Sequence, residues 1–205
     1  MTVASSRDEP ELVHALHLSS GQIIAIRPAR PKDVRMIQAY IHDLSPSSRH
    51  NRFLGALNEL SGAALHRMTH MDHESQQVLL AETVAEGAST MIGETCYAVA
   101  PDGLGCEFAV SVAGAWRRRA LGTLLFETVA RRARDLGCRY LVGDILRSNQ
   151  AMIALARKTG FGVTAPIADA RLLRIVKDLS VRDSARSWNE RSWSELASRS
   201  WLNAA

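Results

Sequence analysis

The run Trp116-Arg117-Arg118-Arg119-Ala120-Leu121-Gly122-Thr123 concentrates three cations at the point where a strand pattern hands over to a helix pattern. A helix N-terminus offers N–H groups without intrahelical partners and the positive end of a dipole, so this segment has the means to hold a phosphate or pyrophosphate. A solvated basic turn is the competing reading, because short basic loops are common. Just before it, Cys106 to Val112 alternates with period two. Cys106, Phe108, Val110 and Val112 make an apolar face, whereas Glu107, Ala109, Ser111 and Ala113 make a face of small side chains with one carboxylate at its end. A lone strand Glu usually faces solvent; at the end of such a face Glu107 is also placed to act as a base. His66, His70, Asp72 and His73 have spacings that invite a metal reading, against which surface or loop contacts are the simpler account, and no metal is expected. No Ser/His/Asp arrangement has spacing suited to nucleophilic catalysis.

The elements that position these residues follow from periodicity. A strand is predicted at Gln22 to Arg27, then a helix capped by Asp33 with apolar positions Val34, Ile37, Tyr40, Ile41 and Leu44, interrupted over Ser45 to Asn51. Ala63 to His70 reads as helix, and Gln77 to Thr83 with Met91 to Val99 as a hairpin. From Leu121 a helix carries Leu125 and Val129 at spacing four, widened by Leu124, Ala133 and Leu136 and ended by Gly137. Tyr140 to Ile145 is a strand, Asn149 to Thr159 a helix closed by Gly160, and Arg171 to Val176 a last strand. Strands alternating with helices imply an α/β fold with a mixed sheet.

Composition narrows the function classes. With 205 residues, 46% hydrophobic and 22% charged, one globular domain is expected. There is no apolar run long enough to span a bilayer and no secretory leader pattern, and Cys96, Cys106 and Cys138 lack disulfide or zinc spacing and read as small core residues. The cytoplasm is the expected compartment, with no membrane partner. The net charge is +4. It is local: Gly114 to Arg139 holds seven Arg against Glu127 and Asp135, and the remainder has 18 basic and 19 acidic residues. A patch this compact suits a small polyanion at least as well as a duplex, whose backbone would need positive charge spread along an extended face, and nucleic acid is not expected. Residues 1–20 are read as an N-terminal arm, 21–179 as the domain, and 180–205, with Trp188, Trp193 and Trp201, as a Trp/Ser/Arg-rich extension.

The loop resembles the pyrophosphate loop R/Q-x-x-G-x-G/A of the GNAT superfamily of acetyl-CoA-dependent N-acetyltransferases, with Arg117, Ala120 and Gly122 on the pattern and Ala120 in place of the first Gly. Asn149-Gln150-Ala151-Met152 through Lys158-Thr159-Gly160-Phe161 is similar to the family's next motif. Arg27-Pro28, Asp33, Leu44-Ser45-Pro46, Ser48, Arg49, Arg52, Phe53 and Glu107-Phe108-Ala109 resemble Pat-type bacterial protein lysine acetyltransferases in particular. The resemblance implies the GNAT fold, a mixed and mostly antiparallel sheet flanked by helices. It implies Glu107, ten positions before Arg117, as general base, and the backbone N–H of Val110 on the thioester carbonyl. Val110, Val112, Arg117, Arg118, Arg119, Ala120, Leu121, Gly122, Thr123 and Asn149 would hold acetyl-CoA. Many relatives place an acid Tyr seven residues after the Asn; Ala156 stands there, so no general acid is named. The expected activity is transfer of acetyl from acetyl-CoA to a primary amine by direct attack in a ternary complex. The expected acceptor is a lysine of a protein such as an AMP-forming acyl-CoA synthetase. The alternatives are a small amine as acceptor, or a non-catalytic acyl-CoA-binding module. Monomer or dimer is the expected state.

Overall fold

In the computed structural model, residues 13–17, 22–71, 75–85, 88–164 and 169–180 are described. Asp72, His73 and the three Trp of the C-terminal extension lie outside them. The strands are β1 (His14–His17), β2 (Ile23–Pro28), β3 (Gln76–Ala85), β4 (Ala88–Val99), β5 (Gly105–Val112), β6 (Tyr140–Leu146), β7 (Gly162–Thr164) and β8 (Leu172–Asp178). The helices are α1 (Val34–Asp43), α2 (Pro46–Phe53), α3 (Gly62–Thr69), α4 (Leu121–Asp135) and α5 (Gln150–Lys158). The strands form one sheet in the order β1-β2-β3-β4-β5-β6-β8-β7. Only β5 and β6 run parallel, and α4 makes the crossover that parallel neighbours require. The mixed α/β sheet expected from the sequence is present, and part of the stretch read as an N-terminal arm contributes the edge strand β1.

Alternation along β5 divides the core in two. Cys106, Phe108 and Val110 pack with Leu121, Leu125, Phe126 and Val129 of α4 and with Ile153 and Ala156 of α5. On the opposite face, Ala109 and Ala113 pack with Ile37, Tyr40 and Ile41 of α1 and Ala64 and Leu65 of α3. Cys96, Cys106 and Cys138 are buried and free, as core residues. Leu136, assigned to the buried stripe of α4, is instead 37% exposed, because the helix ends one residue earlier.

Two local expectations are corrected. Asp33 makes no side-chain cap on α1. Its carboxylate accepts from both Nη1 and Nη2 of buried Arg27, at 2.6 and 3.0 Å, while Arg27 also donates to Glu82. A buried guanidinium demands carboxylates more strongly than a helix end demands a cap. α1 does end before Ser45, as expected, but the segment that interrupts it is itself helical and opens α2: Ser45 Oγ accepts from the Ser48 N–H and Pro46 occupies the first turn.

Candidate active site

The β5–β6 ladder has only three pairs, Gly105 with Tyr140, Cys106 with Leu141 and Glu107 with Val142. Beyond them β5 stays with β4 as far as Val112, and β6 stays with β8 as far as Leu146. The two strands part into a cleft lined by Ala109 and Val110 of β5, Asp144 and Ile145 of β6, Asn149 and Met152 at α5, and Asn51 and Arg52 of α2. Backbone directions on β5 can be read from its neighbours. The Ala113 N–H donates to Ile92 of β4 and the Gly105 carbonyl accepts from Ala100, whereas the Leu104 carbonyl accepts from Arg139 and Tyr140 on the other side. Odd residues of β5 therefore address β4, and the N–H groups of Val110 and Val112 point into the cleft. Gly143 stands where the strands part; a Cβ there would meet the Phe108 ring at 3.1 Å and its carbonyl oxygen at 3.2 Å.

Following β5, and tied to α2 beside the cleft, lies the basic loop. Arg118 and Ala120 have φ of 58° and 63°, and Ala120 is the N-cap of α4. The position the family fills with Gly thus does need the left-handed region, which an Ala occupies under strain. Arg118 and Arg119 are exposed, while Arg117 donates through Nη2 to Ser48 Oγ at 2.7 Å and so ties the loop to α2. A Cβ on Gly122 would stand 2.9 Å from the tip of the Leu155 side chain of α5, which would have to shift to admit it. Leu121 is buried in the core and Thr123 half-buried on the first turn. Asn149 caps α5, its Oδ1 accepting from the Met152 N–H at 3.2 Å. Ala156 is fully buried against the core, and no titratable side chain occupies that position.

Next to the loop, whose Arg117 lies close enough to act on Tyr40, polar side chains collect on the β4–β5 face beneath α1 and α2. Arg52 donates through Nε and Nη2 to Glu94, and Nη2 also lies 3.2 Å from Cys96 Sγ. Ser111 Oγ donates to Glu94 at 2.9 Å and is itself 2.9 Å from the Tyr40 hydroxyl. Burial opposes the charge on Arg52, but Glu94 and the groups around it outweigh that, and the guanidinium is held above its ordinary value. Burial pushes the Cys96 thiol up to about 12, which keeps it protonated and unreactive at neutral pH. Glu107 shares this face and is half-buried. Its charge acts on Arg174, which is raised first by its hydrogen bond to Asp144, at 2.7 to 2.8 Å, on the cleft wall. Glu94, Ser111, Tyr40 and the Asp144–Arg174 pair escape sequence reasoning. A carboxylate inside the apolar run Met91 to Val99 was the available signal, since a charge in a central strand requires a buried partner.

The metal series is only partly described. His66 and His70 stack with ring centroids 3.9 Å apart, and His70 Nδ1 lies against the Thr69 hydroxyl. No cluster of three metal-ligating side chains occurs among the described residues. Among the described residues, no helix is long and apolar enough to cross a membrane.

Comparison with known proteins agrees with this architecture. Residues 31–161 match the Acetyltransferase (GNAT) family. An acetyltransferase of Pseudomonas aeruginosa is 31% identical over 144 residues, 70% of this chain and 77% of that one. The GNAT domain of S. lividans PAT superposes with a TM-score of 0.72 at 24% identity, over 80% of this chain and 96% of that one. A spermidine N-acetyltransferase from Vibrio cholerae, solved with CoA and spermine, gives 0.61 at 14% identity over 77% and 96%. With a parted parallel strand pair, a cationic helix N-terminus beside it and a family match over most of the folded core, the chain belongs to the GNAT family and is an acetyl-CoA-dependent N-acetyltransferase.

Proposed function

We propose that the chain acetylates the side-chain amine of a lysine on a protein, such as an AMP-forming acyl-CoA synthetase, by direct attack in a ternary complex. The observation that carries this reading is the placement of Glu107 on the polar β5 face, three residues before a backbone N–H directed into the cleft. Likeness in fold to the GNAT domain of a Pat protein supports the choice of acceptor. A lysine ammonium with a pKa of about 10.4 must lose a proton before it can attack, and Glu107 takes it. The Val110 N–H donates to the thioester carbonyl, and Val112 to the pantetheine as an added strand would. The loop from Arg117 to Thr123, with the N-terminus of α4, holds the pyrophosphate of acetyl-CoA, the co-substrate that supplies the activated acetyl group. The Asn149 amide donors serve the pantetheine while its oxygen caps α5.

The test is Glu107→Gln. Turnover should fall about 10²- to 10⁴-fold near pH 7 with acetyl-CoA affinity nearly intact, and the deficit should shrink as rising pH deprotonates the amine unaided. Equal rates in both proteins at pH 7 would remove Glu107 as the base. A spermidine N-acetyltransferase shares the fold, so a panel of polyamines, amino acids and lysine peptides decides the acceptor. Release of CoA only with a small amine would replace the protein acceptor.

A further inference from the structure

Arg52 is a central residue of the cleft wall that the assignment above does not use. Its side chain is 4% exposed, and the Glu94 side chain that it pairs with is 0% exposed. The pairing is side-on: Nε and Nη2 face the Glu94 carboxylate, and Nη2 also faces Cys96. That leaves Nη1 on the opposite edge of the fork, buried and without a hydrogen-bond partner among the described residues. Arg52 Cζ lies over the Phe53 ring, 4.8 Å from its centroid, and a ring offers no oxygen or nitrogen to accept from Nη1. An orphaned donor on a buried cation costs stability; the Arg52 side chain lines the cleft, so a ligand oxygen that displaces the groups now enclosing Nη1 offsets that cost.

The charge balance says what that partner is. Glu94 already neutralises Arg52, and Ser111 donates to Glu94 as well, so a second anion beside Nη1 would leave a net negative charge in a buried site. A carbonyl oxygen carries no net charge on arrival and gains charge only as it reacts. Val110, whose N–H points into the same cleft, approaches from the sheet, whereas Arg52 approaches from α2. We propose that Arg52 Nη1 is a second donor to the thioester carbonyl oxygen, so that the oxygen is held between the Val110 backbone and a guanidinium braced by Glu94. In the reaction the amine nitrogen forms a bond to the carbonyl carbon and the C=O π pair moves onto oxygen, where these donors receive it. The pair returns as the C–S bond breaks, CoA leaves as thiolate, and the proton lost by the amine reaches the thiolate through Glu107 and solvent. Arg52 stays protonated throughout.

This inference rests on the acetyl-transfer reading and is tested by an experiment that separates the two. Affinities of acetyl-CoA and of S-ethyl-CoA, a thioether without the carbonyl, are measured by calorimetry in the absence of acceptor for wild type, Arg52→Lys and Ser111→Ala. Wild type should prefer acetyl-CoA. Arg52→Lys, which keeps a cation beside Glu94 but lacks Nη1, should lose that preference while binding S-ethyl-CoA unchanged, and its kcat should fall about 10²- to 10³-fold with acceptor KM unaltered. Ser111→Ala should lower the melting temperature through the same network yet keep the preference. Should Arg52→Lys not fold, the slowly exchanging guanidinium protons of Arg52 in the wild-type protein should shift with acetyl-CoA and not with S-ethyl-CoA. Equal shifts with both ligands, or an Arg52→Lys protein that keeps its preference while acceptor KM rises, overturn the proposal. Failure of wild type to bind either ligand overturns it together with the acetyl-transfer reading.

Discussion

The loop and the buried cluster next to it use arginine in opposite ways. In the loop, Arg118 and Arg119 are exposed and adjacent in sequence, and the local backbone is held in the left-handed region at Arg118 and Ala120. Beneath α2, Arg52 is buried against Glu94, Cys96, Ser111 and Tyr40, residues drawn from α1, α2, β4 and β5. Exposed cations attract an anion through solvent and are screened by salt, whereas a buried one acts at short range on whatever enters the cleft. The first arrangement suits a mobile polyphosphate, and the second suits a single atom that must be met at one place.

Breaking the buried cluster should have the largest effect. Glu94→Ala leaves the Arg52 charge uncompensated and should destabilise the fold by about 3 to 5 kcal/mol in denaturant unfolding, a loss that added salt does not imitate. Breaking the exposed loop should act on binding. Replacing Arg118 and Arg119 together with Ala should weaken acetyl-CoA by about 1 to 3 kcal/mol in calorimetry, with an unchanged melting temperature for the free protein and a deficit that narrows as salt is raised. An unchanged dissociation constant would make the loop a basic turn whose backbone amides carry the binding. The smallest effect is a gain: Ala120→Gly relieves the positive φ and should stabilise the loop by about 0.5 to 1 kcal/mol, read as a higher melting temperature in the presence of acetyl-CoA. No gain there would show that the loop is set by its neighbours and not by residue 120.

The same contrast explains what could be read from sequence. The loop is contiguous, so its charges, its Gly122 and the helix that follows announce themselves in a few residues. So do the two faces of β5, because a period of two needs only local spacing. The buried cluster is assembled from positions 40, 52, 94, 96 and 111, and nothing local connects them. α2 is hidden for a related reason. Ser47, Arg49, His50 and Asn51 look like loop residues, and it is Arg52 pairing below and Arg49 donating to the His42 carbonyl that justify a helix there. Asp33 fails in the other direction. Its position satisfies every local rule for a cap, and a cation six residues earlier, in β2, takes it instead. The direction of the Val110 N–H depends on which neighbour each β5 residue addresses, which becomes visible only once the sheet order is known.

The parting of β5 from β6 also bears on how the molecule avoids its own kind. Two runs of unsatisfied strand backbone facing each other would ordinarily invite a strand from another chain, the hazard of any exposed edge. Here the fork opens inside the sheet, with β5 held by seven pairs to β4 and β6 by seven pairs to β8, so neither side can swing outward to accept a new strand without breaking a full ladder. The close approach of Gly143 to Phe108 fixes the apex, and α2 and α5 stand over the mouth. A slender ligand with amide groups can enter such a fork, while a second polypeptide with side chains on both faces meets helices on either side. Widening the apex with Gly143→Ala would therefore endanger solubility as well as binding, because it loosens the one place where this sheet keeps an edge in its interior.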